Sequence, residues 1–217
     1  MTKDARKHDF RRAVLVTGGT VRLGRAISAA LSAAGWNVLT SSHRADAGAD
    51  IVADLSTPDG ADELFCRVKS LCGGDAPFAV VNNAALFSGD AAAVASVNLT
   101  APARLVELLA DEPEPRAAVN ILDAAVLPGA EGVRGRCEAY TLSKERLAER
   151  TMSDARRFAG RVRVNAVAPG PVMTLSPCGV REKAAATPFG RPRPEDVANA
   201  VVFLLSSATT TGCIIPV

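Results

Sequence analysis

A short glycine turn between a buried strand and a helix constrains this chain more than any other feature. Residues 13–16 are apolar, which is typical of a buried strand, and the sequence TGGT at 17–20 interrupts them. Apolar residues then recur at helical spacing from Leu23 to Ala34, and Gly35 ends that pattern. Such a turn lets backbone N–H groups approach a phosphate, and the helix dipole favours an anion there. We expect a nucleotide ligand, although similar turns also join strands to helices without binding anything.

Arg22 strengthens the expectation of a phosphate site. It occupies the position of the middle glycine in a Gly-x-x-x-Gly-x-Gly loop that runs from Gly18 to Gly24. A guanidinium at that position can pair bidentately with phosphate oxygens. The predicted phosphate contacts are Gly18, Thr20, Arg22, Leu23 and Gly24.

Composition indicates one domain and argues against several classes of protein. The 217 residues, 48% of them apolar, suffice for one large core. A net charge of +2 argues against nucleic-acid binding, and the basic residues within 1–11 are predicted to form a polar leader. We see no apolar run of membrane-spanning length and no secretion signal, which predicts a cytoplasmic protein. Five cysteines without a Cys-x-x-Cys pair, and only two histidines, predict no disulfide framework and no metal site.

Strands and helices alternate along the rest of the chain. The predicted strands lie at 36–41, 49–53, 78–81, 117–122, 162–168 and 213–217, and the predicted helices at 61–71, 92–110, 139–158 and 194–205. This alternation predicts an α/β protein with a single-domain Rossmann fold at 12–217, a doubly wound parallel sheet of about seven strands flanked by helices. Residues 171–194 show no clear periodicity and are predicted to form a substrate loop.

Polar residues follow the carboxyl ends of several predicted strands, where open α/β sheets bind ligands. His43 and Arg44 follow the second strand with no acid beside them, which favours the 2′-phosphate of NADPH over an unphosphorylated ribose. A polar surface loop would look much the same. Asn83 follows the fourth strand and Asp123 the fifth. We expect these residues to converge with the Gly18 loop on one crevice.

Tyr140 and Lys144 lie four residues apart at the start of a predicted helix, on one face. A lysine ammonium near a phenol favours the phenolate and lowers the tyrosine pKa from about 10 toward working pH. Tyr140 is therefore a candidate proton donor, and an ordinary surface pair is the alternative. Asn98 lies in an apolar helical stripe, where its amide needs a partner unless it is exposed.

Four motifs together resemble those of the short-chain dehydrogenase/reductase family. They are TGGTVRLG at 17–24, NNA at 82–84, YTLSK at 140–144 and NAVAPG at 165–170, and the resemblance covers nearly the whole chain from Arg12. It implies a catalytic set of Asn98, Tyr140 and Lys144, with Lys144 also holding the nicotinamide ribose. It extends the cofactor-binding set to Asp54, Leu55, Asn83, Ala84, Lys144, Pro169 and Gly170.

Asp123 stands where that family usually has a serine. The pteridine reductase branch resembles this chain in having an aspartate there, an arginine in the glycine loop, a His-Arg pair after strand two and a phenylalanine after paired asparagines. The matching residues are Asp123, Arg22, His43, Arg44 and Phe87. In that branch the phenylalanine and the nicotinamide sandwich the pterin.

The resemblance therefore implies an NADPH-dependent reductase that transfers a hydride to a pterin or folate ring. Tyr140, Lys144 and Asp123 would form the proton relay. Arg22, Phe87, Asp123 and Tyr140 would contact the substrate. The family also implies a homotetramer formed through the helices that follow strands four and five.

Two other functions remain open. A carbonyl reductase of the same family would act on a 3-oxoacyl thioester or a small ketone, and Asp123 argues against it because a carboxylate would repel the developing alkoxide. A non-catalytic NADPH-binding sensor would have no need of Tyr140 and Lys144.

Overall fold

Seven parallel strands form the centre of the fold in this computed structural model, which describes residues 12–128, 137–172 and 190–217. The strands are β1 (Ala13–Thr17), β2 (Asn37–Ser42), β3 (Ile51–Val52), β4 (Ala79–Asn82), β5 (Arg116–Ile121), β6 (Val162–Ala168) and β7 (Ile214–Pro216). Their order across the sheet is β3-β2-β1-β4-β5-β6-β7, and every neighbouring pair is parallel. The predicted doubly wound sheet is confirmed.

Helices cover both faces of this sheet. Those in the described residues are α1 (Arg22–Ala33), α2 (Gly60–Leu71), α3 (Ala91–Ala95), α4 (Ala101–Ala110), α5 (Glu138–Arg157) and α6 (Pro194–Ser206). On one face Val14 and Val16 pack in a cluster with Ile27 of α1 and Val201 of α6. Leu15, between the two valines, packs in the opposite cluster with residues of α2 and α4. Because both faces are covered, β1 is apolar throughout its length.

The helix predicted over 92–110 contains a wider turn than expected. A π-helical turn at Ser96–Thr100 joins α3 to α4, and Asn98 is at its centre. Pro102, in the first turn of α4, has no N–H to donate to the Asn98 carbonyl four residues earlier. The regular helical ladder therefore cannot continue through this point, and such turns are frequent at functional positions.

The run Ala91–Ala110 also corrects one expectation drawn from the sequence. It is 20 residues long with a mean hydropathy of 1.2, and it is the one helical run within 12–128, 137–172 and 190–217 that is long and apolar enough to cross a membrane. Half of it is buried inside the fold, as in a core helix. The expectation that no apolar run approaches that length is therefore wrong for this helix.

Two predicted features fall outside the described residues. They are the polar leader at 1–11 and residues 173–189 of the predicted substrate loop. The flanks of that loop are described, and Pro171, which follows β6, lines a cleft at the carboxyl ends of the strands.

Candidate active site

A cleft of about 820 Å³ opens at the carboxyl ends of the strands. In a sheet of this order ligands bind where neighbouring strands send their connections to opposite faces, which here is between β1 and β4. Every predicted site residue except Asn98 lines the cleft. These residues are Gly18, Thr20, Arg22, Leu23, Gly24, His43, Arg44, Asp54, Leu55, Asn83, Ala84, Phe87, Asp123, Tyr140, Lys144, Pro169 and Gly170. The structure thus brings together residues that are up to 152 positions apart, from Gly18 to Gly170.

The glycine turn after β1 depends on very close packing. Gly18 has φ +63, a conformation that favours glycine. A Cβ on Gly24 would overlap the Gly18 carbonyl oxygen, so α1 can begin this close to β1 only with glycine there. The Asn83 side-chain amide donates to the carbonyls of Thr17 (2.9 Å) and Gly18 (3.1 Å). The loop after β4 therefore fixes the shape of the turn.

Thr17 holds the same two loops together, and the sequence analysis did not single it out. Its Oγ1 accepts hydrogen bonds from the backbone N–H groups of Asn83 and Ala84, both at 3.0 Å. The same hydroxyl donates to the Val81 carbonyl at 3.4 Å. A threonine that ends a buried strand was the available signal, but its partners are more than sixty residues away in the chain and sequence spacing does not indicate them.

Arg22 has the one positive φ of a non-glycine residue in the described part of the chain, at +50. A non-glycine residue in this region costs about 1–3 kcal/mol. The chain thus keeps an arginine at a position whose backbone favours glycine, which points to a use for the guanidinium. The same residue begins α1, whose first turn has no acidic residue and no side-chain cap. Uncapped N–H groups at a helix N-terminus that borders the cleft fit a phosphate anion.

Arg44 lies in the cleft paired with Asp46, so the expectation that no acid lies beside it is wrong. Its Nε donates to Asp46 Oδ1 at 2.9 Å, and its Nη2 donates to Oδ2 at 2.6 Å. This bidentate pair lowers the pKa of Asp46, chiefly through the hydrogen bond, and raises the pKa of Arg44. The Arg44 backbone N–H also binds Ser42 Oγ at 3.1 Å. The cation expected for a 2′-phosphate is therefore present, and it is paired with a neighbouring carboxylate.

Tyr140 and Asp123 are joined by a buried hydrogen bond. The Tyr140 hydroxyl donates to Asp123 Oδ2 at 2.9 Å, and both residues are less than one-tenth exposed. Asp123 Oδ1 accepts from the Ala125 N–H at 3.0 Å, which fixes the carboxylate at the start of a short turn after β5. A carboxylate acceptor favours the neutral phenol, because the phenolate would place a second negative charge beside it.

Lys144 is buried on the same face of α5 but does not hydrogen-bond the phenol. Its Nζ donates to the Ile121 carbonyl at 2.6 Å and lies 6.0 Å from the centre of the Tyr140 ring. Burial lowers the pKa of Lys144 to about 8. The predicted juxtaposition of lysine and tyrosine is present, but the direct ammonium contact is made to the end of β5.

Phe87 completes an aromatic surface in the cleft. Its ring stacks on that of Tyr140, with centroids 4.9 Å apart and planes inclined by 21°. It is 37% exposed, whereas Tyr140 is 4% exposed. Both residues line the cleft, and Phe87, the more exposed of the two, lies directly beside the candidate proton donor.

Asn98 is the predicted catalytic residue that does not line the cleft. Its side chain is fully buried and holds the backbone of Leu86, with Oδ1 accepting from the N–H and Nδ2 donating to the carbonyl, both at 2.8 Å. Nδ2 also donates to Ser143 Oγ at 3.0 Å, and that hydroxyl donates to the Tyr140 carbonyl at 2.7 Å. The side chain of Asn98 is thus a positioning group that links the segment before Phe87 to the helix carrying Tyr140.

Ser143 belongs to this link, and the sequence did not single it out as a functional residue. It falls inside the motif YTLSK, and it shares a buried helical stripe with Tyr140, Lys144 and Leu147. The spacing of three, four and seven residues from Tyr140 was therefore a signal that could have identified it.

Outside the cleft, the described residues include fewer groups that are suited to catalysis or to binding a metal ion. A groove, also of about 820 Å³, lies between α2, α4 and α5 and contains none of the predicted site residues. It is crossed by ion pairs such as Arg104 with Asp62 and Arg150 with Glu107, both at 2.7 Å. No group of three or more His, Cys, Asp or Glu within residues 12–128, 137–172 and 190–217 is arranged to hold a metal ion. The cleft at the strand ends is the candidate active site.

Comparison with known proteins places this arrangement among nucleotide-dependent reductases and dehydrogenases. Residues 80–217 match the family model described as enoyl-(acyl carrier protein) reductase. Carbonyl reductase family member 4 of Danio rerio is 31% identical over 229 residues, covering 94% of this chain and 95% of that protein.

Two solved structures extend the likeness to proteins with bound cofactors. The FolM alternative dihydrofolate reductase 1 of Brucella canis, complexed with NADP, is 28% identical with a TM-score of 0.79, covering 95% of this chain and 92% of that one. The 3-alpha-hydroxysteroid dehydrogenase of Pseudomonas sp. B-0831, complexed with NADH, is 27% identical with a TM-score of 0.79, covering 94% of each chain. The shared fold therefore occurs with both phosphorylated and unphosphorylated cofactors.

Proposed function

Because this chain belongs to the short-chain dehydrogenase/reductase family of oxidoreductases, we propose that it reduces the ring of a pterin or folate with NADPH. The observation that carries this proposal is the buried hydrogen bond from the Tyr140 hydroxyl to Asp123, at 2.9 Å, beside the exposed ring of Phe87. It supplies a protonated phenol, a fixed carboxylate and a flat apolar surface in one place.

The proposed proton step uses groups that are already connected. When bound, NADPH supplies the hydride that reduces a C=N bond of the substrate ring. Tyr140 donates the proton to the ring nitrogen, and Asp123 orients the phenol through its hydrogen bond. Lys144, held by the Ile121 carbonyl, provides a positive charge that stabilises the phenolate left behind.

Asp123 also favours a nitrogen heterocycle over a ketone. A carboxylate can accept a hydrogen bond from an amino group of a pterin. The alkoxide that develops when a ketone is reduced would instead be repelled by that carboxylate. Asp123 is 8% exposed, so solvent screens this repulsion little.

NADPH is the proposed cofactor because cations and uncapped N–H groups face the cleft. Arg22 and the N-terminus of α1 would hold the phosphates, and Arg44 with His43 would hold the 2′-phosphate. Lys144 would hold the nicotinamide ribose. The remaining proposed cofactor contacts are Gly18, Thr20, Leu23, Gly24, Asp54, Leu55, Asn83, Ala84, Pro169 and Gly170.

The likeness to a NADP complex of an alternative dihydrofolate reductase supports this choice of cofactor and substrate class. The likeness to a carbonyl reductase supports the second candidate, which is reduction of a 3-oxoacyl thioester or a small ketone by the same residues. The two candidates differ in what Asp123 contributes, so that residue can distinguish them.

The test is NADPH oxidation, followed by loss of absorbance, with dihydrobiopterin, dihydromonapterin, dihydrofolate and an acetoacetyl thioester compared side by side. We expect turnover with at least one pterin or folate and none with the thioester. Turnover with the thioester alone would replace the first candidate with the second.

Asp123→Ser sharpens this test, since a hydroxyl can replace the hydrogen bond to Tyr140 without a charge. We expect the variant to lose pterin turnover and to gain ketone turnover. Unchanged pterin turnover would refute the role proposed for Asp123. Thermal unfolding of the variant, compared with that of the wild type, shows whether the fold is retained.

The proposal includes a cytoplasmic location and a homotetramer formed through α4 and α5. The tetramer comes from the resemblance to the family, and the location is the one predicted in the sequence analysis. A small-molecule substrate is the only partner that the proposed reaction needs besides the cofactor.

A further inference from the structure

We propose that Asp46 competes with the 2′-phosphate of NADPH for the Arg44 guanidinium, and thereby limits how strongly the cleft prefers NADPH to NADH. The inference rests on the proposed NADPH site and assigns a role to a residue that the proposed function does not use. Arg44 and Asp46 form an exposed ion pair that lines the cleft.

The Arg44–Asp46 pair uses the edge of the guanidinium that is suited to a phosphate. Nε and Nη2 donate to the two carboxylate oxygens at 2.9 and 2.6 Å, which is the two-point geometry that arginine also offers to phosphate. A phosphate that binds this edge must first displace the Asp46 carboxylate.

The local backbone keeps the competing carboxylate in reach. Asp46 lies in the short turn Ala45–Ala47, which begins directly after Arg44. The Ala47 N–H donates to the Arg44 carbonyl at 3.3 Å, and Gly48 ends the turn with φ +66. Since the two side chains are only two residues apart on this turn, the pair forms without any long-range contact.

Asp46 also places a negative charge where the phosphate would bind. Both Asp46 and Arg44 line the cleft, and within residues 12–128, 137–172 and 190–217 Arg44 is the only lysine or arginine that pairs with this carboxylate. A 2′-phosphate dianion would therefore be repelled by Asp46 as well as attracted by Arg44. NADH, which has no 2′-phosphate, would not meet this repulsion.

The size of the effect follows from exposure. The side chains of Arg44 and Asp46 are 64% and 68% exposed, so the pair itself is weak and can open at small cost. An exposed ion pair of this kind alters an equilibrium by up to about fivefold. Removing the repulsion of the phosphate adds to this change at low ionic strength.

The experiment measures dissociation constants for NADPH, NADH and adenosine 2′,5′-bisphosphate with the full-length protein by titration calorimetry. Asp46→Asn removes the charge and keeps the shape. Asp75→Asn is the matched control. Asp75 is exposed and precedes β4, so it lies at the amino ends of the strands, away from the cleft at their carboxyl ends. Arg44→Gln and the double variant Asp46→Asn/Arg44→Gln complete a thermodynamic cycle.

We expect Asp46→Asn to bind NADPH and the bisphosphate about fivefold more tightly, with NADH and the control variant within about twofold of wild type. The gain should disappear when Arg44→Gln is also present. Unchanged or weaker NADPH binding by Asp46→Asn would overturn the inference, and so would a selective loss of NADH binding, which would assign Asp46 to the ribose hydroxyls.

The same titrations separate this inference from the proposed function. If Arg44→Gln weakens NADPH binding but Asp46→Asn changes nothing, the NADPH site stands and the competition is refuted. If the wild type prefers NADH and Arg44→Gln leaves NADPH binding unchanged, the proposed cofactor and the competition both fail.

Discussion

Arg22 is predicted to lower the stability of the fold and to strengthen cofactor binding. Its φ of +50 suits glycine, and its guanidinium borders the proposed phosphate site. We predict that Arg22→Gly raises the dissociation constant for NADPH about tenfold or more, because a charge-assisted pair is lost. The free energy of unfolding should nevertheless be maintained or rise by about 1 kcal/mol as the strain is relieved.

Arg22→Ala is the matched variant for this prediction. It also removes the guanidinium, but alanine keeps a Cβ and therefore the strained backbone. Calorimetric titration and chemical denaturation should show the same loss of NADPH affinity in both variants and greater stability for the glycine variant. Equal stability of the two would mean that the backbone at residue 22 stores no strain.

Tyr140 is predicted to be needed for proton transfer and not for cofactor binding. Tyr140→Phe keeps the ring that stacks on Phe87 and removes only the hydroxyl that binds Asp123. Loss of a general acid lowers kcat by about 10²–10⁴-fold. Steady-state kinetics should show this fall while NADPH affinity stays within about twofold of wild type. Unchanged turnover with every substrate would instead favour the sensor hypothesis.

Lys144 is predicted to make the activity and the stability depend on pH in opposite directions. Burial lowers its pKa from 10.5 to about 8, so the folded protein binds fewer protons than the unfolded chain between those values. The contribution of Lys144 to stability therefore rises as the pH increases through this window. The charged ammonium is the form that the proposed relay requires, and kcat/KM should fall above about pH 8.

A pH series of kcat/KM and of denaturant unfolding tests both statements about Lys144. Lys144→Met cannot titrate, so its unfolding free energy should lack the rise between pH 8 and 10.5 that the wild type shows. If kcat/KM of the wild type stays constant from pH 7 to about 9.5, the predicted fall in activity cannot be assigned to this lysine.

At the scale of whole elements, the π-helical turn connects two parts of the active site. Asn98, at its centre, binds Leu86 on one side and Ser143 of α5 on the other. The segment that presents Phe87 and the helix that presents Tyr140 are therefore positioned by one side chain. The turn exists because Pro102 cannot donate the hydrogen bond that a regular helix needs at this point.

Asn98→Ala should separate positioning from binding. It leaves the partly buried N–H and carbonyl of Leu86 without their side-chain partner, and we expect a loss of about 1–3 kcal/mol of unfolding free energy. We also expect kcat to fall at least about tenfold, with little change in the KM for NADPH, since Asn98 does not line the cleft.

Ser143→Ala is the control for this element. It removes only the link between Asn98 and the Tyr140 carbonyl, so the cost in stability should be about 1 kcal/mol. Denaturation and steady-state kinetics of both variants give the comparison. If Asn98→Ala lowers stability but leaves kcat unchanged, Asn98 is only a structural residue.

At the scale of the whole molecule, periodicity and strand ends were enough to predict the sheet and the location of the cleft. Apolar runs of strand length separated by helical patterns predict that strands and helices alternate along the chain. This alternation predicts a sheet of parallel strands. Asp123 and Asn83 were expected to meet because the carboxyl ends of parallel strands share one edge. These expectations depend on local patterns, which a single sequence contains.

The parts of the site that the sequence did not predict depend on contacts between distant residues, or on whether a charged side chain in a turn pairs with its neighbour or with a ligand. The bonds from Thr17 to Asn83 and Ala84 form only after β1 and β4 are paired. The Arg44–Asp46 pair was visible as two nearby charges, but its relation to the cleft needed the turn at Ala45–Ala47. Spacing alone does not say whether a charged side chain binds a ligand or its own neighbour.

The exposed apolar residues of α5 are the predicted contact between subunits. Leu142 and Met152 of α5 are apolar and 45% and 36% exposed in the single chain, and exposed apolar groups on a helix face are typical of contacts between subunits. Light scattering should give a mass close to four times 22.4 kDa if the proposed tetramer forms through this helix.

Met152→Glu should reduce the mass measured by light scattering, because a tetramer would have to bury the new charge. Leu71→Glu, at an equally exposed site at the end of α2, should leave the mass unchanged. A wild-type mass of one chain would refute the tetramer, and an unchanged mass for Met152→Glu would mean that the contact lies away from Met152.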